Sequence, residues 1–243
     1  MGLVLPPPPA AATIVPRESA NVPFRSIPKA WLYGGRGSAL NAMGLTGLIL
    51  AGGKSSRFGS DKASAMLLGR PLLQWAVSAI EPAVQAIVVV CAAGQRLPPF
   101  EVGVPLVIVE DQYEAMGPLA GLVTGFRAVR TSLCFATACD APLLQPELVR
   151  MLASKAADAD VVIPDVDGWM QPLSAVYRPS ACLPAFERQV ALGELKITVA
   201  YEGLRILPVG AAEVRTVDPE LRSFRNANRP ERLAEIEALL DAD

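Results

Sequence analysis

The chain is 243 residues long, enough for one sizeable α/β domain or two small ones. Hydrophobic residues make up 51% and charged residues 19%, a globular composition, and 22 Lys+Arg against 24 Asp+Glu leave a net charge of −2. No basic excess marks a nucleic-acid binder, and the absence of any histidine excludes Ser-His-Asp triads, Cys-His pairs, HExxH zinc sites and an imidazole proton shuttle. Chemistry on this chain must run on carboxylates, Lys and Arg, backbone N–H groups or a hard metal ion.

Residues 1–43 stand apart. They hold seven of the 22 prolines and are net positive, with Arg17, Arg25, Lys29 and Arg36 against Glu18 alone, which leaves −5 on the rest. No helical or strand period runs through them, so they read as a Pro-rich disordered tail or an upstream extension from a mis-assigned start, with Met43 as the natural start. No apolar run approaches a membrane span, no signal peptide is visible, and four cysteines without a CxxC pair read as reduced thiols of a cytoplasmic protein.

From residue 44 the pattern is regular. Gly47–Ala51 is a continuous apolar run, as a buried parallel strand requires. A helix is expected over 72–83 behind Pro71, a strand over 86–91 and another over 105–109. A helix over 119–130, a strand over 132–138, a helix over 146–157 and a strand over 160–163 follow. A strand over 171–177 and helices over 180–192 and 230–241 complete the series. Strands alternating with helices predict an α/β fold, a doubly wound and mostly parallel sheet in three Rossmann-like layers, with ligands bound beyond the strand ends.

Three polar segments follow strand ends. In Leu50-Ala51-Gly52-Gly53-Lys54-Ser55-Ser56-Arg57-Phe58-Gly59-Ser60-Asp61-Lys62, adjacent glycines let the backbone approach a ligand and offer N–H groups to phosphate oxygens. Arg57 and Lys62 add positive charge, so the segment reads as a polyphosphate grip. It is no Walker A motif, since the first required glycine falls on Leu48, and it lacks a GxGxxG fingerprint. In Glu110–Gly121, Gly117-Pro118 opens a helix, and Asp111 is either a base or ribose ligand or an ordinary turn carboxylate. In Ala138-Cys139-Asp140-Ala141-Pro142, Asp140 is placed to hold a metal against phosphates or to cap a turn, while Cys139 packs. A further pair, Asp165-Val166-Asp167, precedes Gly168 and reads as a turn, not a metal site.

Together these residues resemble the molybdenum cofactor guanylyltransferases. The thirteen-position loop is similar to that family's signature, Gly117-Pro118-Leu119-Ala120-Gly121 to its GPLxG, Cys139-Asp140-Ala141-Pro142 to its CDxP, and Asn226-Ala227-Asn228-Arg229-Pro230-Glu231 to its NxNTPE. The resemblance implies a nucleotidyltransferase domain over 44–243, with GTP as substrate and Mg²⁺ as cofactor. It implies transfer of GMP to molybdenum-bound molybdopterin with release of pyrophosphate. It assigns nucleotide binding to Leu50, Ala51, Gly52, Gly53, Lys62, Asp111 and Asp140, catalysis to Arg57, Lys62 and Asp140, the metal to Asp140, and the pterin side to Asn226 and Asn228. Its implied partners are GTP, molybdenum-molybdopterin and proteins of cofactor biosynthesis or the recipient apoenzymes, with no nucleic acid or membrane. Two departures stand out. Cys91 replaces an asparagine near the nucleotide, and Arg229 replaces a threonine that would cap the last helix. The rival expectations are a nucleotidyltransferase using CTP or a sugar-phosphate acceptor, and a non-catalytic nucleotide-binding module.

Overall fold

A computed structural model describes residues 44–52, 61–113 and 116–240. The Pro-rich stretch 1–43, Gly53 and Arg57 lie outside the described residues.

The first strand, β1 (Leu45–Leu50), is buried from its second residue onward because it has neighbours on both sides. It pairs in parallel with β4 (Ala86–Ala92) and with β6 (Leu133–Ala138). Strand β5 (Leu106–Asp111) adds in parallel beyond β4. On the other flank β9 (Ser174–Tyr177) runs antiparallel between β6 and β7 (Val161–Val166), and β10 (Ile206–Gly210) closes the edge in parallel with β7. The order is β10-β7-β9-β6-β1-β4-β5, with the two-residue β8 (Trp169–Met170) paired to β7. A separate hairpin joins β2 (Met66–Leu67) to β3 (Arg70–Pro71).

Side chains alternate across the sheet and so build two cores. Ile49 and Ala51 of the first strand and its extension face α1 (Leu72–Ile80) and α3 (Pro146–Ser154). Leu48 and Leu50 face α2 (Gly117–Ala128) and α4 (Pro179–Ala191). The molecule is therefore the three-layer, mostly parallel α/β arrangement expected. A third cluster packs Leu67 and Leu72 against Leu143, Ala227 and Ile236, bringing α6 (Pro230–Leu240) back over the first half of the chain. The short α5 (Ala211–Val214) follows β10.

Boundaries moved where prolines and registers intervene. The helix expected over 72–83 ends at Ile80 and tightens into a 3₁₀ turn, Glu81–Ala83, where Pro82 supplies no N–H. Asp167 (φ 54°) and Gly168 (φ 81°) form a two-residue turn of the twisted hairpin kind between β7 and β8, so the expected turn falls on Asp167-Gly168, while Asp165 lies in β7 opposite Met170.

Candidate active site

The carboxyl ends of β1, β4, β5 and β6 share one edge, where open parallel sheets bind ligands. At this edge the Ala51 and Gly52 N–H groups both donate to the Val90 carbonyl, at 2.8 and 3.1 Å, while the Leu50 carbonyl accepts from Cys139 N at 3.1 Å. Leu50, Ala51 and Gly52 are thus wedged between the ends of β4 and β6. A Cβ at position 52 would lie 2.9 Å from Ala92 N and 3.2 Å from the Cys91 carbonyl carbon, so only glycine fits against that backbone. This corrects one expectation. Gly52 contributes close approach, not a phosphate-cradling donor, because its N–H is already spent on Val90.

Lys62 opens the 3₁₀ turn Lys62–Ser64, which Asp61 caps by accepting from Ala63 N at 3.1 Å. Its ammonium donates to Asp140 Oδ2 in a part-buried ion pair. Asp140 is 8% exposed, and its other oxygen, Oδ1, is buried with no hydrogen-bond partner. A buried carboxylate oxygen without a partner is costly unless something else meets it. Among the described residues no cluster of three His, Cys, Asp or Glu side chains could hold a metal by itself. One carboxylate is nevertheless what Mg²⁺ commonly takes from a protein when substrate phosphates and water fill its other positions. The residues present fit such an ion.

The C-terminal asparagines reach the same place. Ala227 is fully buried, and its N–H donates to the Asp140 carbonyl at 2.7 Å. Asn226 and Asn228, both exposed, flank the residue that makes this bond to the Asp140 backbone. The loop closes on itself through Asn228 N to Asn226 O at 3.0 Å. Arg229 offers no side-chain oxygen as a cap, but its carbonyl accepts from Arg232 N and Leu233 N, so helix α6 still starts there.

Asp111 is apart from this group. It ends β5, two strands from β1, and its Oδ1 already accepts from Thr124 Oγ1 at 2.8 Å and from Tyr113 N at 3.2 Å. Cys91 is buried, its thiol 3.5 Å from the Val109 carbonyl, and presents no amide to a ligand. Cys139 is also buried. Burial and, secondarily, the neighbouring Asp140 charge push its thiol up to about 12, so it packs and does not react.

Sequence reasoning missed Gln95. Its Oε1 accepts from Ala92 N at 2.7 Å, and its Nε2 donates to the Ala51 carbonyl at 3.0 Å and to Asp61 Oδ1 at 2.8 Å. A polar side chain in the tight turn after a buried strand, next to Gly94 at φ 70°, was the only local signal.

A three-layer sheet with a basic-acidic pair and glycine at the strand ends defines a nucleotide-handling α/β protein. The chain belongs to the family of the MobA-like NTP transferase domain, whose model matches residues 47–226. It is 34% identical over 200 residues to the molybdenum cofactor guanylyltransferase of Desulfosudis oleivorans, covering 82% of this chain and 96% of that one. It is 30% identical over 198 residues to that of Shewanella amazonensis, covering 79% and 95%. Among solved structures, molybdopterin-guanine dinucleotide biosynthesis protein A from Archaeoglobus fulgidus superposes with a TM-score of 0.68 at 28% identity, covering 82% of this chain and all of that one. The 2-C-methyl-D-erythritol 4-phosphate cytidylyltransferase of Thermus thermophilus shares the fold, with a TM-score of 0.61 at 18% identity, over 81% of this chain and 98% of that one.

Proposed function

We propose that this chain transfers GMP from GTP to the terminal phosphate of molybdenum-bound molybdopterin, giving the guanine dinucleotide form and releasing pyrophosphate. The observation that carries this is the Lys62–Asp140 pair at the ends of β1 and β6, with the Asn226–Asn228 loop tied to the Asp140 carbonyl. The guanylyl specificity of the relatives supports the choice of GTP and of this acceptor. In this reading residues 44–243 are the catalytic unit.

The attacking phosphate oxygen is already ionised near neutral pH, so the absence of histidine is no obstacle. Catalysis then consists of positioning and charge stabilisation. Leu50, Ala51 and Gly52 form the floor on which the nucleoside lies, held against the end of β4 because position 52 has no side chain. Gly53 and Arg57 extend the phosphate grip, and Asp111 takes part from the β5 end through its second carboxylate oxygen. Held beside Asp140, the Lys62 ammonium offsets the charge that builds on the oxygens around the α-phosphorus. Asp140 would hold Mg²⁺ through Oδ1, and the ion would supply charge neutralisation on the phosphates. Asn226 and Asn228 hold the acceptor on the far side of Asp140. Four cysteines, all buried and none in a disulfide, fit a cytoplasmic enzyme. Its product would pass to cofactor-handling proteins or recipient apoenzymes.

The test is pyrophosphate release with each nucleoside triphosphate, with and without molybdenum-loaded molybdopterin, in the presence of Mg²⁺ and after chelation. GTP-specific, pterin-dependent and metal-dependent release is expected. Release that needs CTP or a sugar phosphate, or GTP binding without any release, would overturn the proposal.

A further inference from the structure

Lys62 and the nucleotide floor are separate in the chain, yet one amide side chain joins them. The Gln95 side chain makes three of its four possible hydrogen bonds, all to backbone or capping groups. Its oxygen takes the Ala92 N–H at the end of β4. One N–H goes to the Ala51 carbonyl, just past the end of β1, and the other to Asp61 Oδ1. That Asp61 oxygen also accepts from Ala63 N, and its Oδ2 lies 3.4 Å from Ser64 Oγ, so Asp61 sets the single turn on which Lys62 sits. The four-carbon stem of lysine is flexible, so what the fold can fix is the Cα from which the ammonium reaches Asp140. We infer that Gln95 is a positioning residue that fixes the Lys62 ammonium against Asp140 by locking the Asp61 cap to the ends of β1 and β4. The consequence for turnover rests on the role proposed above for Lys62.

The chemistry requires an amide. Leucine would leave the Ala92 N–H, the Ala51 carbonyl and the Asp61 carboxylate without this partner. Glutamate could still accept from Ala92 N, but it would turn a negative oxygen toward the Asp61 carboxylate and the Ala51 carbonyl, with no donor for either. Both variants release the same link by different routes.

The experiment uses the full chain and two readouts. In the first, amines are labelled with limiting reagent in the absence of substrate, and the label on each lysine is read by mass spectrometry. Gln95→Leu and Gln95→Glu should each raise labelling of Lys62 at least threefold, while Lys155, paired with Glu213, and exposed Lys196 stay at wild-type levels and report an intact fold. In the second, pyrophosphate release is measured for Gln95→Leu, Lys62→Ala and the double variant. Gln95→Leu alone should lower kcat about tenfold (roughly 1.4 kcal/mol). In the Lys62→Ala background it should add less than a twofold loss, because its target is gone. Unchanged Lys62 labelling in both variants overturns the inference, as do losses that multiply in the double variant. Raised labelling with unchanged turnover upholds the positioning of Lys62 and overturns instead the catalytic role proposed for it.

Discussion

Lys62 and Asp140 meet at the strand edge with opposite charges and unequal surroundings. The lysine satisfies one carboxylate oxygen, and the other stays buried without a hydrogen bond. Lys62→Ala should lower turnover by about 10²- to 10³-fold, the loss typical of removing one donor to a developing oxyanion. Circular dichroism and thermal unfolding of the variant should show the cooperative transition retained. Asp140→Asn keeps the shape but not the charge, so a titration of pyrophosphate release against Mg²⁺ should lose its metal-dependent rise. A retained Mg²⁺-dependent rise in that variant would remove Asp140 as the ligand. Cys139 sits beside this pair with its thiol held up at about 12 by burial. At pH 8 it should resist iodoacetamide in the native chain and react once urea exposes it, as read by peptide mass. Both charged residues could be singled out in the sequence, Asp140 because it follows an apolar strand end and Lys62 because it lies at a fixed distance from the loop glycines. Gln95 could not, since its partners Ala51 and Asp61 are 44 and 34 positions away and only the folded edge brings them together.

At the level of elements, the ion pair between Asp160 and Arg205 fastens the starts of β7 and β10. The guanidinium donates to both carboxylate oxygens, at 2.9 and 3.2 Å, and Arg205 N adds a bond of 3.0 Å to Oδ2. These hydrogen bonds hold the Asp160 carboxyl below the usual carboxylate range. A depressed folded-state pKa stabilises above the unfolded value, near 3.9, and that stability is lost as pH falls through the folded value. Asp160→Asn should therefore unfold at lower urea than the parent at pH 7, with the gap closing below about pH 4. The elements themselves divide by legibility. The runs that became β1, β4, β6 and β7 are apolar on both faces and declare themselves. Strand β10 does not, because Pro208 interrupts it, and proline is tolerated there only because the strand lies at the sheet edge. The strand expected over 171–177 exists as Ser174–Tyr177, but its reversal against β6 and β7 depends on pairing that local pattern does not encode. The hairpin Met66–Pro71 was missed because two-residue strands carry no period.

Across the whole molecule, one of the two cores depends on an aromatic cluster. Phe186 is fully buried, with ring centroids of Phe126, Tyr177 and Tyr201 at 5.5, 5.9 and 6.2 Å. The Tyr177 hydroxyl meets that of Tyr201 at 2.9 Å and donates to the Pro172 carbonyl at 2.7 Å, so the cluster has polar ends that are satisfied. Phe186→Ala should cost about 3–5 kcal/mol in denaturant unfolding. It should leave the GTP dependence of the remaining folded enzyme unchanged, because the cluster packs in one core while Cys139 and Ala141, which flank Asp140, pack in the other. A chain begun at Met43 should match the full chain in unfolding midpoint and in pyrophosphate release, since the family model starts at residue 47 and the first strand at Leu45.

The bond from Ala227 N to the Asp140 carbonyl acquires a direction when the chain is made on a ribosome. Leu50 and Asp140 emerge well before Ala227, so the edge proposed to hold the nucleotide can be assembled while the loop proposed to hold the acceptor is still being synthesised. A product terminated before Ala227 would keep Lys62 and Asp140 but could not bring either asparagine to them. On the function proposed above, such a fragment would hold the donor with nothing to receive it, and the last stretch of translation would turn a nucleotide holder into a transferase.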